Sequence, residues 1–282
     1  MTEFSPKSYP SILQSFGIVG MVFISMACFI PVNFFLNHQV GKEISMLVYY
    51  LLSMGMPALI IYFIKKKKVG EVHVNLNIDN NRVLALALVG TIALLVGIVS
   101  PIVTSIPMSE SFKKIFLELG KMNGFVSILL AVLAAPILEE FIFRGIILDG
   151  LLKRYSAIKS IVVSSLLFGL VHLNPWQFIT GFLMGIFIGY IYIYTRSLSI
   201  AILMHGINNL SGTVQMQFTD MEAILNKTLI EMYGGLINLI LAIIGSMVVF
   251  AVCIYYLKIE FKKREVILIQ DETIDIPPIG QN

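Results

Sequence analysis

Long apolar runs alternate with short polar punctuation along the whole chain. A helix needs about 20 apolar residues to cross the hydrocarbon core of a bilayer. Runs near that length fall at Ile12 to Phe35, Met46 to Ile64, Val83 to Ile106, Phe125 to Leu152, Ile158 to Leu173, Trp176 to Thr195, Leu198 to Thr213 and Leu236 to Leu257. The pattern predicts an all-α, polytopic transmembrane bundle of about eight helices. Between the third and fourth runs, Ser109 to Gly124 sets Phe112, Ile115, Phe116 and Leu119 at helical spacing, with Glu110, Lys113, Lys114, Glu118 and Lys121 on the other positions. Such a stretch suits a membrane surface, as an ordinary connector or as a gate for a substrate. The expected organisation is therefore N-terminal spans and connector over 1–124, a core over 125–213, an external loop and last span over 214–264, and a flexible cytoplasmic tail over 265–282.

Composition places the chain in lipid: 57% of its 282 residues are hydrophobic and 13% charged, with a mean hydropathy of +0.87, whereas an average soluble domain has roughly one quarter charged residues. The net charge of +3 is small and dispersed, which argues against a nucleic-acid partner. Cys28 and Cys253 both lie in apolar runs without a CxxC spacing, and read as inert packing residues. The first run is too long for a signal-peptide core and lacks a small-x-small cleavage site, so it is kept as a mature span. Lys and Arg are retained on the cytoplasmic side. With eight spans and the Lys65 to Lys68 block inside, 14 basic residues (from Lys7 to Arg264) fall inside and 5 (Lys42, Lys113, Lys114, Lys121, Lys227) outside. Both termini are then cytoplasmic in a multi-pass protein of the cell membrane.

Two carboxylates break the rule of apolar interiors. Glu139 and Glu140 fall in mid-span, where each charge costs about 2.5 to 3.5 kcal/mol on the lenient insertion scale. Arg144 follows Glu140 by four residues and shares its helix face, while Glu139 is rotated by about 100°. The spacing pairs Arg144 with Glu140 and leaves Glu139 to project into a cavity. His172 and His205 also lie in apolar runs, each with a companion four residues away on its own face, Phe168 and Asn209. Hydrogen-bonded packing residues and members of a site are both open readings for them. Counted from the cytoplasmic ends at 1.5 Å per residue, Glu139, His172, His205 and Asn209 all fall roughly 10 to 21 Å deep, a common middle band. Ala131, Ala134 and Ala135 permit close helix approach, Pro136 can loosen the helix before the acids, and Gly181 and Gly185 read as ordinary small-residue packing.

Three spacings now coincide in order: Glu139-Glu140-Phe-Ile-Phe-Arg144, Phe168-Gly-Leu-Val-His172 and His205-Gly-Ile-Asn-Asn209. The chain thereby resembles the CPBP (CAAX protease and bacteriocin-processing, or Abi) intramembrane proteases, which include the type II CAAX prenyl endopeptidases, through their E-E-x-x-x-R, F-x-x-x-H and H-x-x-x-N signatures. The likeness spans roughly Leu130 to Leu210. It implies a membrane-bound peptide or protein substrate, with Glu139 and His172 activating a water and His205 and Asn209 stabilising the oxyanion. Water must reach such a site, and a cavity open to the cytoplasm is expected to supply it. Other intramembrane protease classes do not fit, because H-E-x-x-H, G-x-S-x-G and G-x-G-D are all missing.

Many relatives are named metalloproteases, and Glu139, His172 and His205 have the chemistry of three zinc ligands. Asn209 is a poor zinc ligand and a good oxyanion donor, and no second mid-membrane carboxylate is expected to be free to orient a ligating histidine. The reading therefore favours no cofactor over zinc. A proton-coupled carrier is the main rival, since intramembrane Glu, His and Arg also mark ion pathways, although no repeat relates the two halves. A catalytically silent peptide-binding immunity or scaffold protein is the second. Lys- and Ile-rich usage suits a bacterium, where a pheromone or bacteriocin precursor is the expected target.

Overall fold

The computed structural model describes residues 8–121 and 124–270, the side chains of Leu119 and 264–270 excepted, and all regular structure among them is helical. Lys7, the side chains of Leu119 and Arg264, and the tail beyond Gln270 lie outside the described residues. The long helices are α1 (Ile12–Val40), α2 (Lys42–Val69) and α3 (Asn81–Thr104), followed by the amphipathic α4 (Glu110–Gly120). Then come α5 (Phe125–Leu152), α6 (Ala157–Leu170), α7 (Pro175–Thr195) and α8 (Leu198–Phe218), the short α9 (Met221–Leu225) and α10 (Leu229–Met232), and α11 (Leu236–Gln270).

Each apolar run forms a helix, and six of them (α1, α2, α3, α5, α7 and α11) are long and apolar enough to cross a membrane. The helix of α6 has only 14 residues, and α8 carries Asn208, Asn209, Ser211 and Gln215 along one stretch, which lowers its hydropathy. Side-chain caps set several helix starts: Ser11 and Gln14 form a reciprocal capping box on α1, and Asn80, Asn174 and Ser197 accept the first backbone N–H groups of α3, α7 and α8. The last helix runs on to Gln270, so it absorbs the first six residues of the segment expected to be a flexible tail.

Most buried apolar side chains gather in two half-bundles, and a smaller cluster of Leu148, Ile161, Tyr192 and Leu198 lies between them. One core joins α1, α2, α5 and α6 through Ile18, Val22, Met54, Ile61, Ile142 and Leu167. The other joins α3, α7, α8 and α11 through Ala87, Leu94, Met184, Ile188, Met204 and Leu257. Outward faces stay apolar, with Leu13, Phe34 and Ile237 at 81%, 70% and 73% exposure, as a lipid solvent requires. Cys253 is buried, whereas Cys28 sits on an outward face rather than in packing. The two half-bundles meet where α6 packs on α7 and where α5 packs on α8, and the site lies between α5 and α8.

One end of the bundle is basic. Lys65 to Lys68 at the end of α2, Lys153 and Arg154 after α5, Lys159 on α6 and Arg196 after α7 collect there, and Asp149 binds Lys65, Lys153 and Arg196 at 2.8, 3.2 and 3.5 Å. The distal end carries α4, α9 and α10. Phe112 of α4 packs on Trp176, with ring centroids 5.1 Å apart, and the Trp176 indole N–H donates to the Ile106 carbonyl at 3.1 Å.

Candidate active site

The backbone of α5 departs from regular α-helix on both sides of its glutamates. Wide π turns occupy Leu130–Ala134 and Phe141–Leu148, and the α-helical stretch Ala135–Glu140 lies between them. Pro136 has no N–H to donate into the preceding turn, which accounts for the first widening. In the second, side chains take up displaced carbonyls: Ser164 Oγ donates to Phe143 O at 2.9 Å, and Lys65 Nζ to Gly145 O at 2.9 Å and Ile146 O at 3.4 Å. Such turns recur at functional sites because they aim side chains that a regular helix would place elsewhere.

The two adjacent glutamates have different surroundings. Arg144 Nη1 and His205 Nδ1 both donate to Glu140 Oε1, at 2.9 and 2.8 Å, so the predicted Glu140–Arg144 pair is present and fully buried. Arg144 Nη2 also donates to the Gly185 carbonyl at 3.3 Å, and its guanidinium lies 4.6 Å from the centre of the Phe168 ring. A Cβ on Gly185 would come within 3.2 Å of Arg144 Nη2 and 3.0 Å of Ser165, so this glycine makes room for the arginine and is more than general packing.

Glu139 instead lines a cavity of about 760 Å³. Its Oε1 accepts the Tyr50 hydroxyl hydrogen, while Oε2 is buried without a hydrogen-bond partner and lies 3.8 Å from His205 Nε2. His205 thus bridges the two carboxylates. His172 and His205 both pack against Phe168 in T-shaped arrangements, with ring centroids 5.3 and 5.4 Å from that of the phenylalanine. His172 Nδ1 donates to the Phe168 carbonyl at 2.9 Å, which leaves its Nε2 as an acceptor in the neutral ring. Asn209 Nδ2 donates to Ala131 O at 2.8 Å and its Oδ1 accepts from Asn208 at 2.9 Å, so the amide is held in one orientation beside the cavity.

Two expectations need correction, and a third is at odds with the expected orientation of the chain. His172 lies in the α6–α7 turn and not in a span, because Leu173 takes a left-handed φ of 57° and Asn174 caps the helix begun by Pro175. A second carboxylate does orient a histidine, since Glu140 takes the Nδ1 hydrogen of His205. The cavity does not open at the basic end: it runs from Glu139 and Phe168 past Ser127 and Thr180 to Thr104, Gln177 and Tyr233 at the distal end. With the cytoplasm at the basic end, that is the side opposite the expected one.

Zinc would need Glu139, His172 and His205 to converge on one point at about 2 Å each. Among the described residues no three His, Cys, Asp or Glu side chains are grouped to hold a metal ion. Sequence reasoning missed Tyr50, Lys65 and Asn208. A signal for the first two exists: Tyr50, Met54, Ala58, Ile61 and Lys65 recur at intervals of four, four, three and four along α2, one stripe that points inward.

Residues 121–211 match the family model for type II CAAX prenyl endopeptidase Rce1-like proteins, which shows the resemblance for the segment that carries the three motifs. A curated relative, the membrane-embedded CAAX protease MroQ of Staphylococcus aureus (strain USA300), is 33% identical over 114 residues, covering 37% of this chain and 42% of that protein. The match therefore spans less than half of the relative. No solved structure matches the chain.

Proposed function

We propose that the protein is an intramembrane endopeptidase that hydrolyses a peptide bond of a membrane-associated peptide or protein. The observation that carries this reading is Glu139 Oε2: a buried carboxylate oxygen with no partner, on the wall of a cavity and 3.8 Å from an imidazole nitrogen. Leaving a charged oxygen unsatisfied is costly, and a water between Glu139 and His172 relieves that cost while being the reactant. His172 Nε2 accepts a hydrogen bond from one water O–H, which stays on the oxygen, and Glu139 takes the other hydrogen as a proton while the oxygen attacks the carbonyl carbon. The carbonyl electron pair moves to its oxygen, and collapse of the tetrahedral intermediate returns it and expels the amine, which receives the proton from Glu139.

His205 Nε2–H and the second amide hydrogen of Asn209 face the developing oxyanion. In that role His205 carries both ring hydrogens, and the charges of Glu139, Glu140, Arg144 and His205 sum to zero. Arg144 and Glu140 hold His205 rather than touch substrate. A metal-free course is proposed because the donors are not grouped for one. The printed name of the relative, a CAAX protease, agrees with peptide-bond chemistry.

The test compares membrane peptides in cells with the wild type and with Glu139→Gln, alongside hydrolysis by purified protein. Glu139→Gln should fold and lose about 10²- to 10⁴-fold in rate, and wild-type activity should survive dialysis against a strong chelator. Retained activity in Glu139→Gln removes the base assignment. Stoichiometric zinc, with activity lost on chelation and restored by zinc, overturns the metal-free course.

A further inference from the structure

The two ends of the catalytic helix are closed off unequally. Beyond Glu140, Ile142, Phe143, Ile146, Ile147, Leu148 and Leu151 are all at 0% exposure, and Lys65, at 1%, fills the space beneath them with its contacts to Gly145 O, Ile146 O and Asp149. No cavity wall lies there among the described residues that line the site. On the other side of Glu139 the walls separate. Ser127 is twelve residues before Glu139, about 18 Å along the helix, a depth that an extended chain fills with about five residues.

The chemistry of the walls restricts what can occupy them. Ser100, Thr104, Gln177, Thr180, Ser211 and Gln215 offer neutral donors and acceptors. Leu95, Val99, Leu130, Met184 and Met216 offer apolar contact between them. Among the described lining residues Glu139 is the only Asp, Glu, Lys or Arg. A free carboxylate near the scissile bond would therefore add a charge that nothing balances, since the one cation on the wall, His205, is already balanced within the group of Glu139, Glu140 and Arg144, and it would enter at the cost of burial. The nearby Lys113 of α4 is not on the wall and is held by Glu110 at 2.9 Å.

We infer that the site takes an uncharged, extended peptide segment delivered from the side opposite the basic end, which is the non-cytoplasmic face by the retention of Lys and Arg, and cuts it internally rather than next to a free C-terminus. This rests on the proteolytic reading for the word cut, and on geometry alone for access and charge. Amide and hydroxyl groups along the walls serve the peptide backbone, and the methionines adapt to varied apolar side chains. A soluble cytoplasmic tail has no path to Glu139.

The experiment uses the full chain with Cys28→Ser and Cys253→Ala and one added cysteine, either Ser211→Cys in the cavity wall or Lys66→Cys at the basic end. A membrane-impermeant cationic thiosulfonate added to intact cells should modify Ser211→Cys and leave Lys66→Cys untouched until the cells are permeabilised. End-capped, uncharged octapeptides should slow that modification about fivefold at roughly four times their dissociation constant, and the same peptides with a free terminal carboxylate should not. Outside labelling of Lys66→Cys with Ser211→Cys silent overturns the access side, and protection by the free acids alone overturns the uncharged occupant. Hydrolysis of the capped peptides by the purified chain, lost in Glu139→Gln, separates the two readings: protection without hydrolysis leaves access standing and removes proteolysis.

Discussion

Glu139 and Glu140 are neighbours in the chain, yet they belong to opposite halves of α5. Each carboxylate keeps one buried oxygen without a hydrogen-bond partner, but the half before them borders open space and neutral polar walls, so only the free oxygen of Glu139 faces a cavity. The half after them is closed, and its carboxylate receives an arginine and a histidine. The difference teaches that position in the bilayer does not decide what an intramembrane charge does. What decides is whether the neighbouring side chains are cations that close around the carboxylate or a single hydroxyl beside a gap, and here a 100° step around the helix separates the two outcomes.

That division can be broken by substitution. Glu140→Gln and Arg144→Ala each strip one partner from a fully buried ion pair and should cost about 3 to 5 kcal/mol, seen as a lower unfolding temperature and poorer expression in detergent. A stable but inactive Glu140→Gln protein would reverse the assignment of strut and base. Lys65→Met should come next, at about 1 to 3 kcal/mol, because Gly145 O loses its Lys65 donor while Asp149 retains Lys153 and Arg196. Lys65→Arg should recover less than a cation count suggests, since the longer side chain has no room at 1% exposure. Unchanged stability in Lys65→Met would show that the closed half does not depend on its lysine. Tyr50→Phe should have the smallest effect, about tenfold in kcat for roughly 1.5 kcal/mol of a hydrogen bond to a charged group, with KM and unfolding temperature nearly unchanged. A rise in KM alone would make Tyr50 a wall for substrate and not a holder of Glu139.

Much of this was legible in the order of residues. The eight runs become eight helices because lipid forces backbone groups to pair within a segment, and the Glu140–Arg144 pair follows from one helical turn. Tyr50 and Lys65 were not found, although both lie on the inward stripe of α2, because the stripe names an inward face without naming the helix it will meet. Lys65 was further hidden by Lys66, Lys67 and Lys68, which make it look like one more charge at the membrane surface. His172 was placed in a span because the apolar run continues through it, while the left-handed Leu173 and the Asn174 cap end the helix first. The side on which the cavity opens depends on which helices splay, and no spacing along one chain encodes that.

The closed half has a further consequence for the cell around it. A hydrolase at mid-bilayer must hold water where the membrane is meant to be an insulator, and a continuous wet path would let protons run down their gradient. On the proteolytic reading, the buried layer from Ile142 to Leu151, with Lys65 tied to Asp149 below it, would interrupt such a path, so that catalysis could be wet on one side while the membrane keeps its electrical resistance.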